Sequence, residues 1–294
     1  AVPPGGGGPR GAPPDAPGGP AAPAGACGRG LVVVSTDHQS TSVALTSWRG
    51  EVLSKRVVSS SSADPGLSAP LSGDVVAPSE VAVGDAFVLI DRYPASVLSW
   101  VDVAQGRVVR QLGVGTGFAA NPQDYVELPS GDKAYVSRYE VNRNPGREPF
   151  DAGSDVLVVD PRAPAIVARI DLSAGLADQA PGLVPSPSRM VRVDGLVFVL
   201  LAVYAPDFGA VGDGRVAVRR APPPPRRPPP RVDGLRGCGA LAVSPSGTRL
   251  AVGCSGTFAG SNNSSLDDAG VAVLDAQTGE VLERYPADVS FGQA

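Results

Sequence analysis

The sequence is short of lysine and shorter still of histidine. Of 25 basic residues only Lys55 and Lys133 are lysines, and His38 is the sole histidine. A formal net charge of −4, with arginines scattered along the chain, leaves no basic patch of the kind nucleic acid demands, so no nucleic-acid partner is expected. One histidine excludes metal centres built from several imidazoles, and a Ser-His-Asp hydrolase would have to be built around His38. G-x-S-x-G, P-loop and dinucleotide fingerprints are all missing. The sequence therefore implies no cofactor and no metal, and gives enzymatic activity no positive support. Long apolar runs are missing too: none approaches the ~18 residues a membrane helix needs. Almost no stretch shows a 3.6-residue period, which argues against helical fold classes. What is abundant is Ala, Gly, Pro and Val, the bias of high-GC coding, and an apolar fraction of 43% is enough to fill a core.

Large apolar residues are scarce over residues 1–30, where G-G-G-G-P and P-P-D-A-P-G-G-P-A-A-P predict a disordered leader. Ala24, Gly25 and Ala26 before Cys27 resemble the small-residue end of a bacterial lipobox, in which the cysteine carries lipid. The other reading of Cys27 is an unpaired thiol in a loose tail.

From Leu31 onward, Val-rich runs of about four to eight residues alternate with Gly, Pro, Asp and Ser clusters, the pattern of short strands and tight turns. The clearest unit is A-L-A-V-S (240–244), an S-P-S-G turn, R-L-A-V-G-C (249–254), a polar loop, V-A-V-L-D (271–275), an A-Q-T-G turn and E-V-L-E-R-Y (280–285). Similar units begin near Asp74, Tyr125 and Arg189. Four strands every 40 to 50 residues or so is the signature of a β-propeller, because one blade cannot bury both faces until neighbours stack on it. A β-sandwich would not repeat its turns in step. The expectation is an all-β fold over 31–294 with about five four-stranded antiparallel blades. Leu31 to Val58 supplies three strands of a first blade, Val289 to Ala294 looks like the start of another, and the ring is expected to be incomplete at the C-terminal end.

Two of the three cysteines bracket one hairpin. Ser244-Pro245-Ser246-Gly247 fits a type I turn followed by a left-handed glycine, with Ser244 paired to Thr248. Counting outward places Cys238 directly opposite Cys254, at a Cα separation of about 4.5 to 5.5 Å that suits a disulfide. Such a bond implies a compartment outside the reducing cytosol; the alternative is two buried thiols.

In a four-stranded meander the turns after the first and third strands lie on one face, and the connections after the second and fourth lie on the other. Here the first set is short and the second is long (59–73, 140–154, 173–188, 255–270), which makes the long-loop face the candidate site. The ends of second strands bring Asp37 and His38, Arg92 and Tyr93, Arg138 and Tyr139, and Tyr204 towards it. Guanidinium and phenol groups around an opening could take an anionic or aromatic ligand. Equally, each Arg could pair with a loop Asp while each Tyr packs under its neighbour. The acidic stretches 262–268 and 150–155 lack the spacing of a calcium loop and read as structural carboxylates.

One stretch breaks the cadence. R-R-A-P-P-P-P-R-R-P-P-P-R (219–231) stands where the fourth blade should form its outermost strand. Proline cannot donate to a ladder, so that strand should be lost or frayed. A polyproline-II ligand segment is one account of the tract, and a local reading-frame slip is another.

The stretches G-L-V-V-V-S-T-D-H-Q-S-T-S-V-A-L (30–45), L-S-G-D-V-V (71–76), L-I-D-R-Y-P (89–94), N-P-Q-D-Y (121–125) and the cysteine hairpin resemble a family of uncharacterised bacterial predicted lipoproteins with propeller domains. The resemblance spans 30–294 and is broken at the proline tract. It implies export to the periplasm or outer envelope and attachment there by lipid, and it carries no activity. More distantly the blades are similar to seven-bladed propellers of the lactonase-like and surface-antigen kinds. Three functional expectations result. The first is an exported scaffold or binding module whose long-loop face meets an envelope protein or small ligand. The second is a lactonase-like hydrolase, which needs uncommitted charged groups at the channel mouth. The third is a truncated or frame-damaged fragment.

Overall fold

A computed structural model describes residues 30–63, 66–220, 230–257 and 265–287. The leader with Cys27, most of the proline tract, the first part (262–264) of the acidic stretch 262–268 and residues 289–294 lie outside them. Within them the chain forms eighteen strands and one 3-10 turn, Ser173–Leu176.

The strands fall into five antiparallel meanders. The first holds β1 (Gly30–Thr36), β2 (Thr41–Ser47) and β3 (Val52–Ser59). The second holds β4 (Val75–Val76), β5 (Ala86–Asp91), β6 (Val97–Asp102) and β7 (Arg107–Gly113). The third holds β8 (Pro122–Glu127), β9 (Ala134–Val141), β10 (Gly153–Asp160) and β11 (Ala165–Ile170). The fourth holds β12 (Pro187–Val193), β13 (Leu196–Leu201) and β14 (Arg215–Arg220), and the fifth holds β15 (Cys238–Val243), β16 (Arg249–Thr257), β17 (Ser265–Asp275) and β18 (Val281–Pro286). Consecutive sheets pack face to face, which makes this a multi-blade β-propeller.

The packing explains why these strands read as continuous apolar runs rather than alternating ones. All six residues of β13 are buried. Because side chains alternate across a strand, Val197, Val199 and Leu201 enter the core shared with the third sheet, while Leu196, Phe198 and Leu200 enter the core shared with the fifth. β5 divides likewise: Leu89 faces the first sheet, and Val88 and Ile90 face the third. Full burial of each such side chain is worth about 1.5 to 3 kcal/mol, so no blade is stable apart from its neighbours. At the first sheet the alternation is half used. Val32 and Val34 pack inward, whereas Leu31 (47% exposed) and Val33 (39% exposed) lie on a face that no sheet covers among the described residues.

One detail differs from the sequence expectation. In the cysteine hairpin Gly247 is left-handed (φ 70°) and donates to the Ser244 carbonyl at 2.8 Å, as expected. However, Ser244 bonds with Arg249 rather than Thr248, and Val243 is paired with Leu250, so the loop is one residue longer. A register shift between Cys238 and Ala240 restores the balance, and Cys238 still meets Cys254 in a disulfide, with Cα atoms 3.8 Å apart. Among the described residues the fourth sheet has three strands, and past the proline tract one antiparallel bridge joins Arg231 to Arg215.

Candidate functional site

The connections between second and third strands, and those between sheets, share one face, as the meander requires. Their lengths are less uniform than expected. Only 92–96 joins β5 to β6, and much of 255–270 is strand, with Thr257 paired to Ser265. The sequence reading also passed over the long connection 202–214 between β13 and β14.

This face is held together by bonds that recur from sheet to sheet. Ser96, left-handed at φ 53°, accepts the Ala120 N–H at 3.0 Å across the boundary between the second and third sheets. Ser154, left-handed at φ 46°, accepts the Ser186 N–H at 2.9 Å across the next boundary. Asp124, fully buried, accepts from the backbone N–H groups of Ser79, Tyr125 and Met190 at 2.8 to 2.9 Å, tying the β4–β5 connection, which belongs to the opposite face, to the third and fourth sheets.

The charged candidates are consumed by this framework. Arg138 has no exposure at all, and its five N–H groups are all engaged. They reach both carboxylate oxygens of Asp155 (2.7 and 2.8 Å), the Val114 carbonyl (3.1 Å), Thr116 Oγ1 (2.7 Å) and the Phe150 carbonyl (2.5 Å). Asp155 also takes Arg169 Nε at 2.5 Å. Arg92 donates through Nε and an NH2 group to Asp74 at 2.9 and 2.5 Å, and to Gln123 at 3.3 Å. Tyr93 is exposed, with its N–H on Asp74 at 3.2 Å. Gln123 continues to Asn121, whose carbonyl receives the Tyr139 N–H, so a chain of bonds runs from Arg92 to the next sheet.

Asp37 and His38 stand apart. Asp37 closes a turn by accepting from Gln39 N–H, Ser40 N–H and Ser40 Oγ at 2.7 to 3.2 Å. The backbone donors of Ser40 and Gln39 hold its carboxyl below the usual range. His38 is left-handed and exposed, and its backbone lies against Gly73, where a Cβ would come within 2.3 Å of the His38 carbonyl carbon. The acidic candidates at 150–155 are likewise spent on the fold. Asp151 receives the N–H groups of Gly146, Arg147 and Glu148 at 2.8 to 3.1 Å.

The aromatic candidates behave differently. Tyr139, at the end of β9, and Tyr204, in the connection after β13, come together with their ring centroids 6.4 Å apart. A third ring, absent from the sequence reading, completes the group. Phe208 lies nearly parallel to Tyr139 (14°, centroids 6.3 Å) and 5.7 Å from Tyr204. It sits at the tip of a small hairpin bridged at Tyr204 and Val211, with Ala205 N–H on the Ala210 carbonyl at 2.8 Å. Arg143 ties this hairpin to the third sheet through the Pro206 carbonyl at 3.0 Å. Burial pushes the Tyr139 phenol up, with Tyr204 and Glu140 adding to it; burial raises Tyr204 too, with Asp268 adding. Both phenols keep their protons at neutral pH, yet neither makes a hydrogen bond among the described residues. The signal in the sequence was D-F-G (207–209), a turn with a ring beside its glycine.

No family model matches the sequence, and no curated protein matches it. Solved structures do. Dihydro-heme d1 dehydrogenase NirN in complex with DHE is 14% identical with a TM-score of 0.50, covering 88% of this chain and 44% of its own. The WD40 domain of Toxoplasma gondii coronin is 13% identical with a TM-score of 0.52, covering 89% and 57%. A candidate 6-phosphogluconolactonase from Bacteroides uniformis is 11% identical with a TM-score of 0.51, covering 90% and 68%. The chain thus spans about half the length of the first two. At these identities the likeness is one of fold, the β-propeller.

Proposed function

We propose that the chain is an exported β-propeller binding module that presents its long-loop face to a ligand or protein of the bacterial envelope. The observation that carries this reading is the ring group on that face, with two phenol hydroxyls that have no partner among the described residues beside the 45% exposed Phe208. Long connections on a rigid scaffold are where binding resides. The Cys238–Cys254 bond supports an oxidising compartment, and the lipobox-like residues before Cys27 support attachment to an envelope membrane. The lactonase-like alternative needed free charged groups at the mouth. Arg92 and Arg138 are paired with Asp74 and Asp155, so these residues offer a hydrolase nothing.

Two measurements test the reading. In the native host, both cysteines of the hairpin should resist alkylation by a maleimide polymer until reductant is added; free thiols in intact cells would overturn export. A photo-crosslinking amino acid at Tyr93 or Phe208 should yield adducts in cells that the same probe at Gln105, on the opposite face, does not. Equal labelling from both faces would overturn the assignment of the face.

A further inference from the structure

We propose that Tyr139, Tyr204 and Phe208 form a subsite for an uncharged saccharide, a proposal that rests on the long-loop-face reading and gives it a ligand class.

The backbone around these rings is held where it would not settle by itself. Phe208 has φ 59° although Gly209 follows it directly, and Val203, at the base of the same hairpin, has φ 55°. Bulky and β-branched residues rarely adopt this conformation, and turns that need it ordinarily place glycine there. The surrounding bonds over-determine it: Phe208 N–H on the Ala205 carbonyl at 2.9 Å, Gly212 N–H on the Val203 carbonyl at 2.8 Å, and the bridges of Tyr204 to Val184 and Val211. The result is that one ring is laid beside Tyr139 while 45% of it stays exposed. Strain of this kind collects at ligand clamps.

The polar groups narrow the ligand. Tyr139 and Tyr204 are half-buried, and their hydroxyls have no protein partner among the described residues and stay open to solvent, free for a ligand. A phenol both donates and accepts, which matches a ligand hydroxyl. Glu140 and Asp268 help to raise these phenols, the Arg138 guanidinium has no N–H left, and Arg143 donates to the Pro206 carbonyl of the same hairpin. Among the described residues no cation stacks on these three rings, so an anionic ligand finds less to pair with here than a neutral one. A neutral sugar ring, with an apolar C–H face for Phe208 and a rim of hydroxyls for the phenols, meets complementary chemistry on both counts.

The test is saturation-transfer NMR and calorimetry on the purified chain, using neutral oligomers of glucose, mannose and N-acetylglucosamine, with benzoate as an anionic aromatic control. We expect at least one oligomer to bind, its ring C–H protons taking up saturation. Phe208→Ala should weaken it about tenfold. Tyr139→Phe and Tyr204→Phe keep the rings and should each weaken it severalfold, whereas Tyr285→Phe on β18 should change nothing. Unfolding midpoints confirm that each variant is folded, and the conservative Phe variants keep the test open if Phe208→Ala is not. Failure of every oligomer to bind, or binding equal in all variants, overturns the proposal, as does binding of benzoate alone. If no oligomer binds while crosslinks still form at Phe208 and not at Gln105, the sugar fails and the face stands; if the crosslinks vanish too, the face falls with it.

Discussion

Arg138 and Asp155 meet at 2.7 Å on neighbouring strands with neither side chain exposed. A buried pair of this kind is costly to break, since removing one partner strands the other charge in a medium that cannot solvate it. Asp155→Asn or Arg138→Met should lower the unfolding free energy by about 3 to 5 kcal/mol, read from denaturant midpoints. A loss below about 1 kcal/mol would mean that water reaches the pair.

The disulfide lies against Gly214, where a Cβ would come within 2.4 Å of Cys238 Sγ and 3.1 Å of its Cβ. Gly214→Ala should cost roughly 1 to 3 kcal/mol by overpacking. In a Cys238→Ala, Cys254→Ala background the sulfur is gone and the same change should cost clearly less. Strict additivity of the three substitutions would refute the contact.

Removing the disulfide should itself cost up to about 3 kcal/mol, the chain-entropy figure for a loop of this size, reduced because the hairpin already restrains those residues. Unfolding with and without reductant measures it, and an unchanged midpoint would show that the hairpin needs no covalent tie.

Ser154 accepts the buried Ser186 N–H across a sheet boundary from a left-handed backbone. Ser154→Ala leaves that donor without a partner and should cost about 1 to 3 kcal/mol. Ser154→Gly loses the same bond but relaxes the backbone, so it should be the milder change. The reverse order in thermal unfolding would mean that the bond is not what the serine supplies.

Asp151 and Asp275 have carboxyls held below the usual range, the first by the N–H groups of Gly146, Glu148 and Arg147, the second by those of Thr278 and Gln277. Because the folded value is the lower one, their stabilisation is complete above the ordinary carboxylate value, about pH 4, and is lost as pH falls from there through the lower folded value. Asp151→Asn and Asp275→Asn should therefore be less stable than the parent at neutral pH, with the gap closing in acid. Unfolding midpoints across pH would show a constant gap if these groups played no part.

The sequence by itself determined the architecture. Valine-rich runs of strand length, recurring with their turns in step, can bury both faces only by stacking, and the cores on either side of β13 are the outcome. The sequence also marked 219–231 as a break in the cadence, because proline has no N–H to give, and most of that tract lies outside the described residues. The disulfide was legible for a partly fortuitous reason. Counting from a three-residue loop reached the right pair because the real loop is one residue longer and the shift beside Cys238 takes that residue back. The tertiary structure alone decided which candidates face outward. Arg138 and Tyr139 are adjacent in β9, so the alternation of the strand sends one side chain into the framework and leaves the other beside Tyr204. That Phe208 joins them depends on which sheet lies next to which, and on a backbone conformation that a phenylalanine adopts only when its surroundings hold it there.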